Sequence, residues 1–218
     1  MMELLAVGAG SFTVALSGAL MPGPLFTVTI AESTRRGFRA GPLLMTGHSL
    51  LELAVVVAVV LGLGPYLKMP AVMALIALLG GGFLVFMGAD MVRSAAGLSL
   101  DLAVHDPQSP PKGRHPVLLG ALASLSNPYW TLWWATIGLG YLVASMKLGV
   151  WGIGAFFLGH IAADYAWYSL LSLGVSKGTR FMGDGSYRWI VRCCGVFLVF
   201  FGAWFLWAAK GFLTCWLA

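Results

Sequence analysis

Met21-Pro22-Gly23-Pro24 interrupts an apolar run that begins at Leu4 and continues to Ala31. The run is longer than the roughly 20 residues a membrane-spanning helix needs. Two prolines and a glycine within it remove backbone donors, and each proline costs about 3 kcal/mol in a helix interior. A membrane helix tolerates that only where the freed carbonyls are buried in protein or line a wet cavity. The stretch therefore predicts a first helix broken into two half-helices. Gly23 serves as the cap and Pro24 as the first residue of the second half, where a missing N–H is no loss. The N–H groups and positive dipole end of that half-helix would face the middle of the membrane and suit an anionic group. Taken alone, the stretch is equally compatible with a kinked helix packed against its neighbours.

The rest of the composition agrees with a membrane protein. Of 218 residues, 59% are hydrophobic and 10% charged, more apolar surface than a soluble domain of this size can use. A net charge of +5 does not suggest nucleic-acid binding, because the basic residues are scattered between apolar runs. Met1-Met2-Glu3 lacks the basic start of a cleavable signal peptide. Cys193, Cys194 and Cys215 form no CxxC and no metal-type spacing, so they read as packing residues and no cofactor is implied.

Hydropathy divides the chain into six segments, about Leu4–Ala31, Gly41–Gly64, Ala71–Ala95, Pro116–Ala144, Leu148–Val175 and Trp189–Leu213. Ten of the 13 basic residues lie in or beside the first, third and fifth connections. They are Arg35, Arg36, Arg39, Arg93, Lys112, Arg114, Lys177, Arg180, Arg188 and Arg192, against Lys68, Lys147 and Lys210 on the other side. The positive-inside rule then places those three loops in the cytoplasm and both termini outside, in a multi-pass protein of the plasma (inner) membrane. The third connection, with Asp101, Asp106, Pro107 and Pro110-Pro111, reads as a flexible polar linker over 96–115.

The two halves resemble each other. Gly47-His48-Ser49-Leu50-Leu51-Glu52 matches Gly159-His160-Ile161-Ala162-Ala163-Asp164 as G-H-x-x-x-acid. Phe83-Leu84-Val85-Phe86-Met87-Gly88-Ala89 matches Phe197-Leu198-Val199-Phe200-Phe201-Gly202-Ala203. Asn127-Pro128, after Ser126, stands in the fourth segment about where the break stands in the first. The chain thus reads as a duplicated three-helix unit, residues 1–95 and 116–218, joined by the linker. Three spans is an odd number, so the second copy must be inverted, the plan of secondary transporters with paired broken helices. The expected fold is all-α and integral to the membrane: six transmembrane helices as two inverted repeats, the first and fourth broken.

A Pro-Gly-Pro in the first helix, the turn Arg36-Gly37-Phe38-Arg39-Ala40-Gly41 after it, and Asn-Pro in the fourth helix resemble the lysine-exporter (LysE/RhtB) family of amino-acid exporters. The resemblance covers nearly the whole chain in the family's order. It implies export of an amino acid or similar small metabolite from the cytoplasm, driven by proton exchange, and no enzymatic activity.

Ionisable groups inside a membrane are functional-site hypotheses by default. His48 and Glu52, and likewise His160 and Asp164, are spaced i, i+4, so each pair shares a helical face. An imidazole beside a carboxylate can exchange a proton, which makes these four the candidates for proton coupling. A polar clamp joining helices is the structural alternative. Pro22, Gly23, Pro24, Asn127, Pro128, Tyr129 and Trp130 are the candidates for substrate binding. In that reading two half-helix N-termini converge on a substrate carboxylate while unwound carbonyls accept from an amino group. Tyr129, Trp130, Trp133 and Trp134 suit either an aromatic wall for a ligand or interfacial anchors. Ser17, Thr27 and Thr131 suit either a path lining or bonds to their own helix.

The expected partners are a small-molecule substrate, protons and membrane lipid, with homo-oligomer formation left open. Two other classes compete. Two histidines and two carboxylates also suit a divalent-cation exporter, in which His48, Glu52, His160 and Asp164 are ligands. A thiol–disulfide carrier would need a cysteine beside each break, and none is there.

Overall fold

A computed structural model describes residues 1–20, 23–63, 66, 69–97, 115–178, 181 and 183–217. Met21 and Pro22 of the first break, Lys68, Arg180 and residues 98–114 of the linker lie outside them. Among the described residues the chain is helical and contains no strand. Its helices are α1 (Met2–Ala19), α2 (Pro24–Arg36), α3 (Ala40–Ala58), α4 (Pro70–Ser94), α5 (Pro116–Leu125), α6 (Pro128–Trp133), α7 (Leu139–Met146), α8 (Gly149–Gly178) and α9 (Asp184–Leu217).

Among the described residues, four stretches are long and apolar enough to cross a membrane: Met2–Ala19, Pro24–Leu63, Pro70–Gly97 and Asp184–Gly211. Large apolar side chains such as Leu5, Leu61, Leu79, Phe200 and Trp207 stand exposed along them. Such a surface would aggregate in water and is what hydrocarbon requires, so the chain is a multi-pass membrane protein.

The first apolar run is divided where its prolines fall. α1 ends at Ala19, and α2 restarts with Pro24 in its first turn behind an extended Gly23. α2 then continues past Ala31, because the polar residues that follow are satisfied within the helix. Glu32 is buried and pairs with both Arg35 and Arg36 one turn on. The turn comes at Gly37, whose φ of 66° and ψ of −151° suit glycine, and a single 3-10 turn leads into α3. The fourth apolar run divides in the same way. α5 ends at Leu125 and α6 begins at Pro128 behind the cap Asn127.

Glycines set how closely the helices approach. Gly81 lies against Gly202 and Gly88 against Gly195, so α4 and α9 run antiparallel, and a Cβ at any of the four would stand 2.5 to 2.9 Å from the facing carbonyl. α1 runs antiparallel along α8, where Ser11 Oγ donates to the carbonyl of Phe156 at 2.7 Å and Gly8 meets Gly159. α5 lies along α3, with Gly120 against Leu44 and Gly47 against Val117. α3 and α8 also cross antiparallel: Gly41 meets the backbone of Tyr168, and Thr46 Oγ1 lies 3.0 Å from the Tyr165 hydroxyl. Backbone contacts of this kind, made through small residues, are the usual means of holding membrane helices together.

At one end of the bundle Gly37 lies beside Ser176, and Ala95 packs with Tyr187 and Val191. The described parts of the three basic connections therefore gather at a single end. Two larger apolar clusters occupy the interior among the described residues. One is built on Leu25, Leu44, Met45, Leu84, Tyr168 and Leu198, the other on Val56, Val59, Trp133, Trp134, Leu142 and Phe156.

Candidate functional site

The antiparallel crossing of α3 and α8 turns two intrahelical pairs into one cluster. His48 and Glu52 project from α3, His160 and Asp164 from α8, and all four are buried. One ligand-type atom from each lies within 4.8 Å of the others. His48 Nε2 is 3.2 Å from Glu52 Oε1 and 3.5 Å from Asp164 Oδ2. His160 Nε2 is 3.0 Å from Glu52 Oε2 and 3.4 Å from Asp164 Oδ2. Each imidazole thus faces the acid of the other helix as well as its own. The sequence spacing predicts the intrahelical pairs and is silent on the crossing contacts.

A layer of donors holds these side chains. Trp130 and Trp134 each donate an indole N–H to Glu52 Oε1, at 3.0 and 2.9 Å. Ser124 Oγ lies 2.7 Å from His48 Nδ1 and donates its own proton to the carbonyl of Gly120, also at 2.7 Å. With that hydroxyl proton committed, His48 Nδ1 is the donor to Ser124, and Nε2 is the nitrogen turned towards the acids. The His160 ring sits against Trp133, Trp134 and Phe156, with centroids 4.8, 5.9 and 5.9 Å away. Glu52 Oε2 and Asp164 Oδ2 are buried and accept no well-aligned hydrogen bond. The imidazole nitrogens 3.0 to 3.5 Å away are their ion-pair partners.

The aromatic cluster thereby acquires specific roles. Trp130 and Trp134 orient a carboxylate, and Trp133 packs on an imidazole. Gly138 makes room for this: a Cβ there would come within 2.6 Å of the Trp133 ring and 3.0 Å of Trp134. A π-helical turn over Trp134–Gly138 follows α6 directly, and such turns often mark functional sites. Trp151, Trp189 and Trp207 are exposed, with Trp151 and Trp189 near the first turns of α8 and α9, as interfacial anchors would be.

The two helix breaks meet beside the cluster. A Cβ on Gly23 would stand 3.4 Å from Asn127 Nδ2. The other side-chain atom of Asn127, Oδ1, accepts from the backbone N–H of Tyr129 at 3.1 Å and so caps α6. Pro24 and Pro128 open α2 and α6, as predicted; Pro22 lies outside the described residues. The hydroxyls of Ser17 and Thr131 bond to carbonyls of their own helix, at Val14 and Asn127. A cavity of about 50 Å³ joins the parts, lined by His48, Glu52, Asn127, Trp130, His160 and Asp164 together with apolar residues of both clusters. It has room for a few waters, at roughly 10–15 Å³ each, and is far below the ~300–1,000 Å³ of pockets that enclose drug-sized ligands.

Ser124 and Glu32 carried no motif that singled them out in the sequence. Ser124 is one of many small residues in its segment, and only the approach of α5 to α3 brings it to His48.

A buried polar cluster between broken helices, in a chain with a lipid-facing exterior, defines a membrane translocator. The family model of LysE type translocators matches residues 16–209, and the chain belongs to that family. Comparisons with curated proteins and with solved structures found no match.

Proposed function

We propose that this chain exports an amino acid or a similar small zwitterionic metabolite from the cytoplasm in exchange for protons. Family membership supports the export of such compounds. The observation that carries the mechanism is the meeting of Gly23 and Asn127 beside the His48, Glu52, His160 and Asp164 cluster. Two interrupted helices present backbone groups to one cavity, and four ionisable side chains beside it can take up and release protons as the cavity changes sides.

In this reading α1 with α2, and α5 with α6 and α7, are the broken first and fourth spans, and α8 completes a set of six. The opposed directions of α4 and α9, and the matching contacts of Gly47 and Gly159 with the first helix of the other half, support two inverted units. Gly23, Pro24, Asn127, Pro128, Tyr129 and Trp130, with Pro22, border the substrate path. The small cavity must widen on one side to admit substrate. The gathering of basic connections at one end supports a cytoplasmic assignment for that end, with both termini outside the plasma membrane.

The test is export of labelled amino acids from loaded proteoliposomes. Export driven by an imposed pH gradient should collapse when the gradient is dissipated. It should also be lost in the double variant Glu52→Gln, Asp164→Asn. Undiminished export by that variant removes the acids from the mechanism.

A further inference from the structure

The geometry points to a second ligand for the same cluster: a divalent cation of borderline softness, of the class of zinc, nickel or cobalt, held by His48, Glu52, His160 and Asp164. This inference does not depend on the organic substrate proposed above. Nitrogen and oxygen ligands bind zinc at about 2.0–2.2 Å, so neighbouring ligand atoms of a tetrahedral site lie roughly 3.3–3.6 Å apart. The four imidazole-to-carboxylate distances here are 3.2, 3.5, 3.0 and 3.4 Å. Glu52 offers Oε1 to His48 and Oε2 to His160, and one ligand atom from each of the four residues lies within 4.8 Å of the others, so a small inward shift brings the set to the corners such an ion requires.

Hydrogen bonding alone leaves this arrangement incomplete. Each Nε2 faces two carboxylates, yet carries at most one proton. Glu52, 1% exposed, and Asp164, 5% exposed, meet the imidazoles through Oε2 and Oδ2 at 3.0 to 3.5 Å without a well-aligned hydrogen bond. One cation at the centre would satisfy all four groups together. Two carboxylates also balance a dication, which keeps the occupied site neutral in a medium where net charge is expensive.

The surrounding donors match what metal ligands need. Ser124 fixes His48 through Nδ1 and leaves Nε2 facing inward, while Trp130 and Trp134 fix Glu52 through one oxygen. The donor types choose the ion. Two imidazoles with two carboxylates favour a borderline metal, whereas magnesium and calcium prefer all-oxygen shells with more ligands.

The experiment uses the full-length protein in detergent, in a Cys193→Ser background because that thiol is exposed. Zn²⁺, Ni²⁺ or Co²⁺ at about a hundredfold excess over Kd should raise Tm by roughly 5–10 °C, while Mg²⁺ and Ca²⁺ should not. Bound Co²⁺ should show the intense visible bands of a tetrahedral site. His48→Ala and His160→Ala should lose both signals. If these variants fail to fold, Ser124→Ala, which keeps all four ligands, should bind about 10–100-fold more weakly. Absence of both signals in the parent protein, or their full retention in folded ligand variants or in Ser124→Ala, overturns the site. Absence of metal binding in the parent protein, with its gradient-driven amino-acid export intact, would overturn this site and leave the proposed function standing. Metal binding without such export would overturn that function and leave this site.

Discussion

Trp134 donates its indole N–H to Oε1 of Glu52 at 2.9 Å, across 82 residues of sequence. Trp130 reaches the same oxygen from one turn earlier. Oε1 thus has two indole donors and lies 3.2 Å from both His48 Nε2 and His160 Nε2, while Oε2 lies 3.0 Å from His160 Nε2. Glu52 is thereby fixed as the anchored member of the cluster. Asp164 lacks an equivalent pair among the described residues.

Trp134→Phe keeps the ring against Phe156 and removes one donor to the carboxylate. The expected loss is about 1–2 kcal/mol, between the range for bonds to charged groups and the smaller values found inside membranes. That corresponds to a fall in Tm of roughly 2–8 °C in a thermal unfolding scan. The Trp130→Phe, Trp134→Phe double variant should fall further than either single one. An unchanged Tm in the double variant would show that the indole bonds contribute nothing.

Gly47→Ala places a methyl group against the carbonyl of Val117, and Gly159→Ala places one against Gly8. Both contacts are with backbone, which cannot turn aside as a side chain can. Each substitution should destabilise by about 1–3 kcal/mol. Gly82→Ala meets nothing within 4 Å and should cost nothing. Equal stability of all three variants would refute the packing described for α1, α3, α5 and α8.

Asn127→Ala removes the cap of α6 and should cost about 1 kcal/mol. Asn127→Asp retains an oxygen for the Tyr129 N–H but loses the amide donors turned towards Gly23. If those donors serve the substrate, the aspartate variant keeps its Tm while export falls at least tenfold. Normal export by Asn127→Asp would confine this residue to capping.

Gly37→Ala tests the turn between α2 and α3. With φ at 66° and ψ at −151°, the backbone lies in a region that costs other residues about 1–3 kcal/mol. A lower Tm is the expected outcome, with the Glu32 pairs to Arg35 and Arg36 preceding the turn as the next contacts to weaken. A Tm equal to that of the parent would mean the turn relaxes freely.

Much of this protein could be read from the chain alone. Apolar run lengths set the membrane class, because hydrocarbon admits few alternatives to helices. Gly23 with Pro24, and Pro128, located the helix breaks, because a missing N–H is a local, covalent fact. The i, i+4 spacing put His48 with Glu52 and His160 with Asp164, because helical periodicity is local as well. What the spacing could not contain is that the two pairs face each other, that Ser124 holds one imidazole, and that Trp130 and Trp134 point at Glu52 rather than at lipid. Those relations depend on how α3 crosses α8 and how closely α5 approaches α3. Close backbone contacts at Gly41, Gly47 and Gly120 permit these approaches, and the partners at such contacts lie far away in sequence. Local chemistry therefore named the groups, and only helix packing made them one site.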